Sequence, residues 1–121
     1  MLKSQNHRQT WQRPAPRWVK ANVDASFHAG CRSAASGIAL RDQDGRFCGG
    51  KTKWYDVCLD ALAAEAIACR DGLVYSLNQG VRKLHLETDC QVLVNLWMSR
   101  AKQKSVIAPL LQQIEDLSRS F

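Results

Sequence analysis

The sequence predicts a single α/β domain with elements in the order β-β-β-α-β-α-α. Three observations carry that expectation. The first half holds three segments of extended character joined by short turns. An Ala- and Leu-rich stretch from Asp60 to Asn78 then takes helical form. A short alternating strand follows, and after it come two amphipathic helical runs.

Residues 1–16 are polar and basic and end in "RPAP", which reads as a linker ahead of a domain over 17–121. In "WVKANVDASF" (18–27), Val19, Ala21, Val23, Ala25 and Phe27 share one face, and Lys20, Asn22, Asp24 and Ser26 the other. A period of two marks a half-buried strand. "HAGCRSAA" is a small-residue loop, "SGIALRD" a second strand, and the Asp42–Gly45 segment a turn. "RFCGGKTKW" completes a hairpin, its adjacent glycines pointing to a bulge or a close neighbour. Asp60 suits the N-cap of the first helix and Gly80 its stop. "VRKLHLE" reads as a fourth strand. "TDCQVLVNLWM" follows as a helix with the apolar stripe Val92, Leu93, Leu96 and Trp97. After "SRAKQK", a last helix over about 106–119 shows Ile107, Leu110, Leu111, Ile114 and Leu117 at helical spacing.

At 121 residues the chain has room for one modest core, and its 45% hydrophobic and 23% charged content is that of a globular domain. No apolar run reaches the length that spans a bilayer, and the first residues lack the apolar stretch of a secretory signal. The Arg-containing, acid-free start is equally consistent with an organelle address and with a linker. Net charge is +6, which favours a polyanionic partner. Five cysteines with no CxxC pair do not form a disulfide framework. They read as reduced thiols, most of them buried, in a nuclear or cytoplasmic protein.

Three carboxylates need an account. Asp24 lies mid-strand, where Asp is disfavoured. Glu65 is the only charge between Ala61 and Cys69, and Asp89 stands at the end of the fourth strand. Acids in apolar company need a hydrogen-bond network or a cation. Each also has a structural reading. Asp89 fits a helix cap. Glu65 fits a solvent position, because Cys69, Gly72 and Ser76 form a narrow less-apolar stripe with it. Asp24 fits an edge strand with one wet face.

"VKANVDASF", "SGIALRDQDGRF", "AAEAIACRDGL" and "NQGVRKLHLETDCQVLVNLW" together resemble the ribonuclease H-like domain in its plant reverse-transcriptase-like form, over about residues 11–121. The resemblance implies a mixed sheet of three antiparallel strands plus a parallel fourth, flanked by helices. It implies that Asp24, Glu65 and Asp89 bind two divalent ions, Mg²⁺ or Mn²⁺, and are the catalytic carboxylates. The implied activity is hydrolysis of the RNA strand of an RNA–DNA hybrid. Asn22 and Ser26 share the Asp24 face, which fits contacts that support the carboxylates or touch substrate and fits equally well plain polar residues of a strand. "HAGCRSAA" is the place expected for a sensor of the ribose 2′-hydroxyl. Arg100, Lys102 and Lys104 correspond in place to a basic insertion that some relatives use to hold the hybrid, but "SRAKQK" is short and reads first as a solvated turn. The family's fifth strand, last helix and fourth carboxylate have no counterpart before Phe121. A weak or inactive site and an exposed sheet edge open to self-association are therefore expected. The rival readings are a non-catalytic nucleic-acid-binding module and a retroelement-derived interaction domain. No membrane partner is expected.

Overall fold

The computed structural model describes residues 2–4, 18–102 and 107–121. Five strands form one sheet: β1 (Leu2–Ser4), β2 (Val19–His28), β3 (Ser33–Arg41), β4 (Phe47–Tyr55) and β5 (Leu84–Thr88). The helices are α1 (Ala61–Asn78), α2 (Gln91–Met98) and α3 (Ala108–Ser118), with a short 3-10 turn at Arg100–Lys102. The strand order is β1-β5-β2-β3-β4. The β2/β3 and β3/β4 pairs are antiparallel and β5 runs parallel to β2, the mixed arrangement expected. No helix among the described residues is long and apolar enough to cross a membrane.

Local chemistry sets the element ends. Asp60 accepts the Ala63 amide at 2.7 Å as the N-cap of α1. Asp42 Oδ1 accepts the amides of Asp44 and Arg46, both at 2.9 Å, and Gly45 takes φ +79°, closing the hairpin turn. The bulge inferred from Gly49 and Gly50 falls between Leu40 and Arg41 of the partner strand. Pro109 sits in the first turn of α3, where its missing N–H costs nothing. The fourth strand is shorter than the alternation suggested, starting at Leu84.

Helix α1 lies on one face of the sheet, and Ala21, Val23, Ile38, Leu40, Leu84 and Leu86 pack with its Ala66, Cys69 and Leu73. Leu93 and Trp97 of α2 and Leu111 and Ile114 of α3 close the core. Val92, placed on the apolar stripe by its spacing, is exposed instead, because the eight-residue α2 buries only Leu93 and Trp97 fully. The contact between α1 and β2 is close: a β-carbon on Gly72 would stand 2.6 Å from Val23 Cγ1.

Two expectations are corrected. Leu2–Ser4 adds a strand that the linker reading did not foresee, parallel to β5 in the register Leu2↔Leu86 to Ser4↔Thr88. The β5 edge is thereby covered, and the open edge on which self-association was to depend is absent there. Half-buried Leu2 packs on the core beside Leu73, Leu84, Trp97 and Phe121, giving this short strand an apolar anchor. Secondly, the thiols are not mostly buried: Cys58 and Cys69 are, Cys90 is half-buried, and Cys31 and Cys48 are exposed, all five unbridged.

Candidate metal centre

Strand β5 pairs with β2 only from Val19↔Leu84 to Asn22↔Glu87. Beyond Asn22, β2 continues with β3 on one side and, among the described residues, no strand on the other. Asp24 stands two residues past that last pair, opposite Gly37 of β3. Asp89 follows the final residue of β5 and precedes α2. The site thus forms at the carboxyl end of a parallel strand, where the sheet leaves a notch.

Glu65 reaches the notch from above. It lies in the second turn of α1, and Cys69, Gly72 and Ser76 continue its stripe at spacings of four, seven and eleven. Those three residues are buried. The stripe that resembled a solvent face is the one pressed on the sheet; its small side chains let the helix come close enough for the carboxylate to reach β2.

One carboxylate oxygen from each of Asp24, Glu65 and Asp89 lies within 4.8 Å of the others. Asp24 Oδ1 accepts the Ala25 amide at 2.9 Å. Glu65 Oε2 is buried and has no hydrogen-bond partner. Burial first, then the charges of Asp24 and Asp89, push the Glu65 carboxyl up to about 7. Three acids this close repel one another, and one of them also keeps a buried oxygen without a partner. Hard dications fit both features, since they take oxygen ligands and neutralise the charge. The capping alternative for Asp89 does not hold: the N-cap of α2 is Cys90, without a side-chain cap, and Thr88 Oγ1 accepts the Cys90 amide at 3.2 Å.

The other candidate residues divide. Asn22 shares the Asp24 face, lines the same cleft, and has a buried Oδ1 without a partner. Ser26 is exposed on that face, further along β2. Arg100 is engaged structurally: its guanidinium lies 4.1 Å over the Trp97 ring, donates to the Trp97 carbonyl at 3.0 Å, and pairs with Glu115 at 3.4 Å. Lys102 is exposed in the 3-10 turn. Lys104 lies outside the described residues. The loop assigned to ribose sensing is a tight turn, with β3 already beginning at Ser33. Lys20, one of the scattered basic residues, is buried and paired with Glu87 at 3.2 Å.

Sequence reading missed two features. Asp71 of α1 accepts the Ser36 hydroxyl at 2.8 Å and the Tyr55 hydroxyl at 2.6 Å, tying the helix to β3 and β4. A cleft of about 630 Å³ also runs from Asp24 and Asp89 across Gly37, Ala39, Gly50 and Thr52 to Phe47. Gly50, one of the two adjacent glycines on β4, was its one sequence signal.

A family model described as reverse transcriptase-like matches residues 22–121. A curated Arabidopsis thaliana protein, named provisionally as a ribonuclease H protein, is 33% identical over 84 residues, 69% of this chain. The match spans 13% of that relative's length. Among solved structures, RNase H1 of the halophilic archaeon Halobacterium salinarum superposes with a TM-score of 0.76 at 19% identity, covering 86% of this chain and 79% of that one. The LC11-RNase H1, isolated from compost and solved in complex with an RNA/DNA hybrid, superposes with a TM-score of 0.66 at 13% identity, covering 84% and 75%.

Proposed function

Since this chain belongs to the reverse transcriptase-like family with a ribonuclease H fold, we propose that it is a metal-dependent endonuclease acting on the RNA strand of RNA–DNA hybrids. The convergence of Asp24, Glu65 and Asp89, with a buried Glu65 oxygen that has no partner, carries this reading.

The three carboxylates would hold Mg²⁺ or Mn²⁺. Such ions, when bound, favour formation of the water-derived nucleophile near neutral pH and stabilise charge on the departing 3′ oxygen. The protein's own contribution is positional. Asp24 is fixed by the strand backbone and by the Ala25 amide. Glu65 is delivered at a set height by α1, partly out of water, so its charge interacts strongly with a cation. Asp89 occupies the end of β5, open to a substrate phosphate. Asn22 offers an amide beside Asp24 to the sugar–phosphate chain. No fourth acid joins the three among the described residues, so substrate phosphate oxygens would complete the ligand set and a slow rate is expected.

The test is a labelled RNA–DNA hybrid incubated with Mg²⁺ or Mn²⁺. Cleavage confined to the RNA strand and lost in Asp24→Asn is expected. Hybrid binding with no cleavage under either ion would overturn the enzyme reading in favour of the non-catalytic module.

A further inference from the structure

Helix α1 covers one face of the sheet. Beside the carboxylates, the opposite face carries no helix among the described residues. Its residues fall in cross-strand rows: Asp24–Gly37–Thr52, then Asn22–Ala39–Gly50, then Lys20–Arg41–Phe47. The middle strand contributes Gly37 and Ala39 to the first two rows, so nothing tall rises between β2 and β4. The result is the cleft of about 630 Å³ already described, with Asp24, Asp89 and Asn22 at one end and Phe47 at the other.

Phe47 is held there by its neighbours. The tip of its ring lies over Gly50, where an added β-carbon would meet it at 3.1 Å. The residue nevertheless remains 62% exposed, so its ring is open to a ligand. Arg41, in the same row as Phe47, takes part in no ion pair among the described residues.

We propose that this trough is a subsite for single-stranded nucleic acid, seating the strand as it runs off the carboxylate site. The proposal rests on the reading of that site as one that engages nucleic acid. Width and chemistry select the ligand. From β2 to β4 the floor spans two inter-strand spacings, roughly 10 Å, which admits one strand. Its side-chain-free centre lets a sugar–phosphate chain lie against the sheet. Arg41, paired with Phe47 in the last row, offers a cation to a phosphate. An exposed aromatic ring finds a free π-face only on an unpaired base, because paired bases are already stacked on their neighbours.

The experiment is fluorescence anisotropy at low salt without divalent cation, so that binding is read and cleavage is not. The probes are a blunt RNA–DNA hybrid and the same hybrid carrying a single-stranded overhang on either the RNA or the DNA strand. One of the overhangs is expected to tighten binding about tenfold, the scale of stacking one base on an aromatic side chain. Phe47→Ala should remove that gain and leave blunt-hybrid affinity unchanged, while Val57→Ala, on an exposed loop, should keep it. The circular dichroism of Phe47→Ala should match the parent, since the lost side chain is largely exposed. No gain from either overhang, or an equal loss on blunt and overhanging probes in Phe47→Ala, overturns the subsite. Binding to a single-stranded oligonucleotide with no affinity for the blunt hybrid would sink the hybrid reading and leave the trough standing.

Discussion

Helix α1 carries two partly buried carboxylates that face opposite circumstances. Asp71 accepts hydroxyl hydrogen bonds from Ser36 and Tyr55, and Arg70 stands 3.5 Å from its other oxygen. Glu65, nearly two turns earlier, has a buried oxygen with no partner and two other acids for company. The protein completes the first with its own donors and leaves the second incomplete. A buried acid with every oxygen accounted for ties elements together, whereas one left unsatisfied among like charges has the character of a ligand position.

The largest effect that tests this contrast is on chemistry. Glu65→Gln should lower hybrid hydrolysis by more than about a hundredfold, beyond the loss typical of changing a group that only supports a metal ligand. It should also abolish the rise in melting temperature on adding Mn²⁺. Metal-free stability should be unchanged or higher, since a repelling charge is gone. Asp71→Ala should do the reverse. Leaving the Ser36 and Tyr55 hydroxyls without their acceptor should cost about 2–3 kcal/mol in denaturant unfolding, with the Mn²⁺ response retained. A loss of metal response in Asp71→Ala as large as in Glu65→Gln would erase the distinction.

Gly72→Ala is next in size. The added methyl collides with Val23, and prying α1 from β2 should cost about 1–3 kcal/mol by denaturant titration. Because Glu65 sits two turns away on the same stripe, the Mn²⁺-linked stabilisation should shrink as well. The smallest effect is on pH. In the metal-free fold the Glu65 carboxyl ionises near 7 instead of 4.5. Its contribution to stability is therefore full below the unfolded value and is lost as pH rises through about 7. Solvent screening of a half-buried group reduces this loss to about 1 kcal/mol, readable as a shift in unfolding midpoint. Glu65→Gln should flatten the slope, and so should saturating Mn²⁺, which favours the ionised form.

Much of the fold was legible because its signals are local. Alternation in "WVKANVDASF" marks β2, Asp60 caps α1 where a cap belongs, and Pro109 opens α3. The trio of acids could be named from their places at mid-strand, on the helix and at the strand end. The direction of Glu65 could not be read. Cys69, Gly72 and Ser76 look like a wet stripe by polarity, but their small size makes them the dry, close-packed one. The trough escaped for a related reason: Gly37, Ala39 and Gly50 define it by what they lack, and absent side chains leave no periodicity. Strand β1 is three residues long, too short to show any pattern, and only its partner Leu86 gives it meaning.

That terminal strand has a kinetic consequence. Pairing Leu2 with Leu86 closes a loop spanning most of the polypeptide, so its loop-closure entropy is among the greatest in the molecule. Non-local parallel contacts of this sort lag behind local hairpins during folding. β1 should dock after the β2–β4 hairpins and α1 have assembled. Clipping it should then accelerate global unfolding while barely slowing refolding.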